Sequence, residues 1–75
     1  MEKSNKLVPA PYRVKGILRS NGITIEQYAK VIDRSFATTQ SRLAGLTDFT
    51  APEIASTCNF LHEDPAIFFT KQLDG

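Results

Sequence analysis

The chain has 75 residues, 41% of them hydrophobic and 23% charged, a net charge of +1 and a single Cys. That length allows one small domain, and one Cys excludes both an intrachain disulfide and a Cys-rich zinc site. No apolar run approaches the roughly 18 residues of a membrane span. The start of the chain, Met1 to Pro11, has no apolar stretch of the signal-peptide kind, so the chain reads as cytosolic.

The net charge hides an asymmetry. Met1 to Arg42 carries eight Lys/Arg against three Asp/Glu, and Leu43 to Gly75 carries one Lys against five Asp/Glu. A basic half of +5 can face phosphate, but a domain near neutrality is not basic in the way that signals nucleic acid by itself.

In chain order, residues 1–10 are polar, lack periodicity and contain Pro9. They are expected to form a flexible arm, with Lys3 and Lys6 placed to reach DNA if the domain binds it. A first helix is predicted from Pro11, whose missing N–H is not needed in a first turn. Val14, Ile17 and Leu18 give it one apolar face, and Asn21-Gly22 ends it. Gly16 lies inside this helix at a cost of roughly 1 kcal/mol against Ala; close packing is one reason to keep it.

A second helix begins after Thr24, which forms a capping box with Gln27. Tyr28, Ala29 and Ile32 form its inward face, and Asp33-Arg34 its exit turn. Ser35 caps a third helix running from Phe36 to Leu43 or Ala44 and stopping at Gly45. Thr38 and Thr39 are weak helix formers, so packing must hold this element. Thr50-Ala51-Pro52-Glu53 opens a fourth helix with an N-cap, an early Pro and a capping-box Glu, and Phe49 and Ile54 occupy the staple positions. Ile54, Cys58 and Leu61 share a face. Asp64-Pro65 starts a last short helix that turns Phe68 and Phe69 back to the core. No segment alternates as a strand does, so the expected fold class is all-α: five short helices over residues 11–70, with residues 71–75 as a tail.

Little in this chain supports catalysis. Cys58 reads as a small buried apolar residue, and His62 as an exposed residue at the end of the fourth helix, where a positive charge suits the dipole. Neither has a second ligand or base at useful spacing. There is no Gly-rich phosphate loop and no triad order. We therefore expect no enzyme, no cofactor, no metal and no small-molecule substrate.

ITIEQYAKVIDRSFATTQSRLAG, from Ile23 to Gly45, resembles the helix-turn-helix of phage repressors and Cro proteins. The resemblance extends back to RVKGILRSNG and forward to FTAPEIASTCNFLHEDPAIFF. Ala29 matches the family's small residue where the two central helices cross. Arg42-Leu43-Ala44-Gly45 resembles the R-L-N-G ending of its third helix, and Phe49-Thr50 with Glu53-Ile54 its F-T-x-x-E-L start of the fourth. Leu18 and Leu43 stand where the family often has an Arg–Glu pair, an exchange that is commonly neutral or stabilising.

The resemblance implies a transcriptional regulator of a phage genetic switch between lysis and lysogeny, acting in the cytoplasm of a bacterial host cell. It also implies a third helix that enters the DNA major groove, in a dimer that reads two half-sites. By position, Phe36, Ala37, Gln40 and Ser41 become the readers, and Ile25 takes a position that is often Gln near phosphate. Base edges are read with paired hydrogen bonds, which Phe36 and Ala37 do not offer. Ile25 and Phe36 instead predict an apolar patch, of the kind that marks a protein contact.

Two functions follow. One is an antirepressor, or modulator of repression, whose helix-turn-helix face (Ile25, Arg34, Phe36, Ala37, Gln40 and Ser41) binds and occludes a partner repressor. The alternative is Cro-like operator DNA binding as a homodimer, with Arg13, Lys15, Arg34 and Arg42 on phosphates and Gln40 on a base. A joint complex with repressor and DNA is compatible with both. Two orientations of Phe36 stay open, because it lies seven residues before Leu43 and fits the core if the third helix is rotated. Ile25 could likewise cover the junction of the first two helices. Ile67 is a candidate dimer contact.

Overall fold

The computed structural model describes residues 5–73, with side chains from Leu7 to Lys71. Its elements are β1 (Asn5–Pro9), α1 (Pro11–Ser20), α2 (Ile25–Ile32), α3 (Phe36–Leu43), α4 (Ala51–Leu61), a 3-10 turn (Pro65–Phe68) and β2 (Phe69–Leu73). The chain is mostly helical, but not all-α. The expected fifth helix is a single 3-10 turn, and a two-stranded antiparallel sheet joins the two ends of the described chain. No described helix is long and apolar enough to cross a membrane.

The helix starts follow local chemistry. Pro11 occupies the first turn of α1. Thr24 and Gln27 close a capping box on α2, and Thr50 and Glu53 close one on α4. The Ser35 hydroxyl accepts from Thr38 N–H at the start of α3. Each box satisfies two of the amides that every helix start leaves without a partner.

The helix ends follow one pattern. The amide five residues along donates back into the last turn: Ile23 to Leu18, Arg34 to Ala29, Leu46 to Ser41 and Glu63 to Cys58. The residue before that donor is left-handed in every case: Gly22, Asp33, Gly45 and His62. Gly takes this conformation without penalty, and Asp33 and His62 are the two exceptions.

The core is built from the predicted faces. Val14 and Leu18 of α1, Tyr28 and Ile32 of α2, Leu43 of α3, and Ile67 and Phe68 of the 3-10 turn form one buried cluster. Leu18 and Leu43 are thus apolar core. Phe49 meets Phe68 edge-on, with ring centroids 4.8 Å apart at 72°, the geometry that the aromatic quadrupole prefers. Ile67 is buried, so it is no dimer contact; the turn after Asp64 rotates it inward. Cys58 is half-buried at the rim of the core rather than inside it. The fully buried positions of α4 are polar, Glu53 and Thr57, while Ile54 and Leu61 are also rim residues.

Residues 5–9, expected in a flexible arm, pair with residues 69–73 in the register Leu7–Lys71, Val8–Thr70 and Pro9–Phe69. Ala10 N–H donates to Phe68 O at 2.8 Å where the ladder begins. Ala10 itself is fully buried, which anchors the ribbon to the helices. Lys3 lies outside the described residues, as does the side chain of Lys6.

Candidate interaction face

Three residues, Asp33 to Ser35, join α2 to α3. Asp33 is left-handed, so the chain leaves α2 sharply, and Ser35 re-enters helix at once. The outer side of α3 and the start of α2 then bound a groove of about 460 Å³. Ala37, Gln40, Ser41 and Leu43 line it from α3, Ala44 and Leu46 from just beyond α3, Ile25 from α2 and Lys15 from α1. Leu46 is 79% exposed.

Ile25 serves two roles. It packs against the core and also lines the groove, so the junction-covering position and the outward face are one and the same. Phe36 is 46% exposed, which settles its orientation: it is not core. Phe36 does not line the groove with Ile25, so the expected single Ile25–Phe36 patch is instead a groove of mixed polar and apolar lining with a separate aromatic at the start of α3.

The arginines behave differently from expectation. Arg42 lies inward, its side chain 15% exposed, with Nε donating to Glu53 Oε1 at 2.9 Å and a second nitrogen donating to Thr47 at 2.7 Å. Arg34, 42% exposed, donates to Glu53 Oε2 at 2.5 Å. Arg13 donates to the carbonyls of Ala66 and Phe69. Arg42 is therefore corrected from a phosphate contact to a structural residue, and Arg13 is occupied in tying α1 to the base of β2. Lys15 keeps its exposed position.

Glu53, which anchors both arginines, is 1% exposed. Burial pushes its carboxyl up; hydrogen bonds from Arg42, from the Thr50 amide and from Arg34 outweigh burial and hold it at about 2, below the ordinary 4.5. The same bond holds Arg42 above its ordinary value. Thr57 Oγ1 donates to Glu53 O at 2.7 Å and lies 2.7 Å from the Tyr28 hydroxyl. Thr57 has a single proton, so Tyr28 is the donor in that second bond. Burial drives the Tyr28 hydroxyl up to about 12, against the lowering effect of Thr57 and with the Glu53 and Cys58 charges adding to the rise. Burial, with Asp64 and Glu63, likewise pushes the Cys58 thiol up. No buried side-chain polar atom among the described residues lacks a partner.

Sequence reading assigned Glu53 only to a helix cap. Its second role left no signal in the sequence, because the arginines that pair with it lie 19 and 11 residues away. A second cavity, of about 470 Å³, opens between Pro9, Pro11, Phe49 and Phe69. Comparison with models of protein families, with characterised proteins and with solved structures finds no match to this chain.

Proposed function

We propose that α2 and α3 form a helix-turn-helix of the phage repressor and Cro type, and that its outer face binds a partner repressor and occludes that repressor's own DNA-reading surface. The chain then acts as an antirepressor in a genetic switch. One observation carries this reading: the start of α3, where base readers are needed, exposes Phe36 and Ala37 in place of hydrogen-bonding side chains. Phe36, Ala37, Ala44 and Leu46 are all exposed, and Gln40 is the one exposed long polar side chain between them. Arg34 and Arg42, the nearby cations suited to phosphate, are bonded to Glu53 instead. Fully burying a Phe or an Ile contributes about 1.5–3 kcal/mol, the scale of an interface hot spot.

The test is binding to a helix-turn-helix repressor from the same genome, by calorimetry, for the unaltered chain and for Phe36→Ala and Ile25→Ala. Each substitution is expected to weaken binding roughly tenfold, with Phe36 the larger because Ile25 is already half-buried. Unchanged affinity in both variants overturns the reading.

Operator binding is the second reading, favoured by Gln40 beside Lys15 on the groove. Gln40 suits adenine and Lys15 suits phosphate. Tight, sequence-dependent duplex binding that collapses with salt supports this reading over the first.

A further inference from the structure

The β1–β2 ribbon has two outer edges, and they differ. Ala10 and Phe68 are a hydrogen-bonded pair, so alternation along the ladder makes Val8–Thr70 the next such pair. The backbone groups of Leu7, Pro9, Phe69 and Lys71 therefore point outward. On the β2 edge those groups are already used or guarded. Phe69 N–H donates to Ala66 O, and Phe69 O accepts from Arg13. Lys71 follows, and an edge lysine discourages strand addition.

β1 carries Lys6 and Pro9, but the outward backbone groups of Leu7 and Pro9 are not taken up by any other described residue. Leu7, its central residue, is 67% exposed. Among the described elements β1 has no substantial neighbour but β2. The molecule is 46 Å long, although its longest helix, of eleven residues, spans only about 16 Å. The ribbon thus projects from the helical body, and two strands alone are marginal in water.

We propose that β1 pairs edge-to-edge with β1 of a second copy of this chain, giving a two-fold antiparallel four-stranded sheet centred on Leu7. Strand self-complementarity selects this occupant. About a two-fold axis at Leu7, each Leu7 N–H meets the other copy's Leu7 carbonyl, and each Asn5 N–H meets a Pro9 carbonyl. Pro9 has no N–H to leave unpaired, so it fits as an acceptor only. The two exposed Leu7 side chains then lie beside each other on one face. The same operation on the β2 edge sets Lys71 against Lys71, and like charges directly opposite are destabilising. This inference does not depend on the recognition-face reading.

The experiment is sedimentation equilibrium of the full chain over a concentration series in reducing buffer, which removes any crosslink through Cys58. The unaltered chain is expected to form dimers. Leu7→Lys, which places charge on the axis, weakens dimerisation by roughly tenfold or more, with helical circular dichroism unchanged. A semisynthetic chain with an N-methylated Leu7 amide lacks only the outward N–H and is expected to lose the dimer as well. Phe36→Ala leaves it intact, which separates this proposal from the functional one. A monomer at every concentration overturns the proposal. So does a dimer that survives both Leu7 changes, or one that yields to Lys71→Glu or Phe36→Ala instead.

Discussion

Glu53 joins three parts of the molecule through one carboxylate. It closes the cap of α4, holds Arg34 at the exit of α2 and draws Arg42 inward from α3. Removing one partner of a buried pair leaves the other uncompensated, which typically destabilises by about 3–5 kcal/mol. Arg34 can return to water, so Glu53→Ala is expected to cost about 3 kcal/mol, the low end of that range, with Glu53→Gln near half of it; urea unfolding at neutral pH measures both. The carboxyl is near 2 folded and near 4.5 unfolded. Its contribution is complete above pH 4.5 and declines as the pH falls through 2. The stability gap between the unaltered chain and Glu53→Gln should therefore narrow between pH 4.5 and pH 2, and a constant gap would show that the ion pairs are not its source. The neighbouring hydroxyl pair makes a smaller prediction. Tyr28→Phe removes one bond to Thr57, which keeps its bond to Glu53 O. Because no buried group is orphaned, the expected loss is about 1 kcal/mol, read from the same urea curves.

At the scale of elements, two glycines make opposite predictions. Gly16 sits inside α1, where an added Cβ meets nothing within 4 Å. Close packing is thus not its reason, and Gly16→Ala is expected to stabilise by about 0.5–1 kcal/mol through helix propensity. Gly45 ends α3 at a φ of +81°, with Pro11 Cγ 3.4 Å from an added Cβ. Space is sufficient there but conformation is not, so Gly45→Ala should destabilise by about 1 kcal/mol. Thermal melts of the two variants should shift in opposite directions.

The helices were legible because their signals are local. Thr24 with Gln27, Ser35, and Thr50 with Glu53 each act within one turn. The ribbon was illegible because its pairing joins residues sixty or more apart, and NKLVP has neither alternation nor a hairpin turn beside it. The site was half legible. Ile25, Ala37, Gln40 and Ser41 meet at one groove, as their spacing on two adjoining helices implies. The orientation of Phe36 depends on how α3 rolls against the core, which periodicity over eight residues does not decide. The capture of Arg34 and Arg42 depends on Glu53, a residue whose cap role already seemed to account for it.

Across the whole molecule, the charge asymmetry of the sequence is partly cancelled in space. The basic half supplies Arg34 and Arg42, and the acidic half returns Glu53 between them. Arg13 is spent on backbone carbonyls. Among residues with described side chains, the basic half then offers Lys15, Arg19 and Lys30 to an external anion, all exposed. This sets the salt response of any duplex binding. Each neutralised phosphate adds about 0.9 to the slope of log affinity against log salt, so these three side chains account for a slope of about −3 per bound chain, or about −5 for a bound dimer. Adding Arg34 and Arg42 as phosphate contacts would raise this to about −4.5 per chain, or about −9 for a dimer, on the same rule. Fluorescence anisotropy with the control-region duplex, over a series of salt concentrations, measures the slope directly. A shallow slope is the expected result and leaves the α3 face to a protein partner. A slope clearly steeper than about −3 per bound chain would require further cations, such as Arg34 and Arg42 released from Glu53. Glu53→Gln should then tighten duplex binding by freeing them, and operator reading would displace repressor capture as the proposed function of this face.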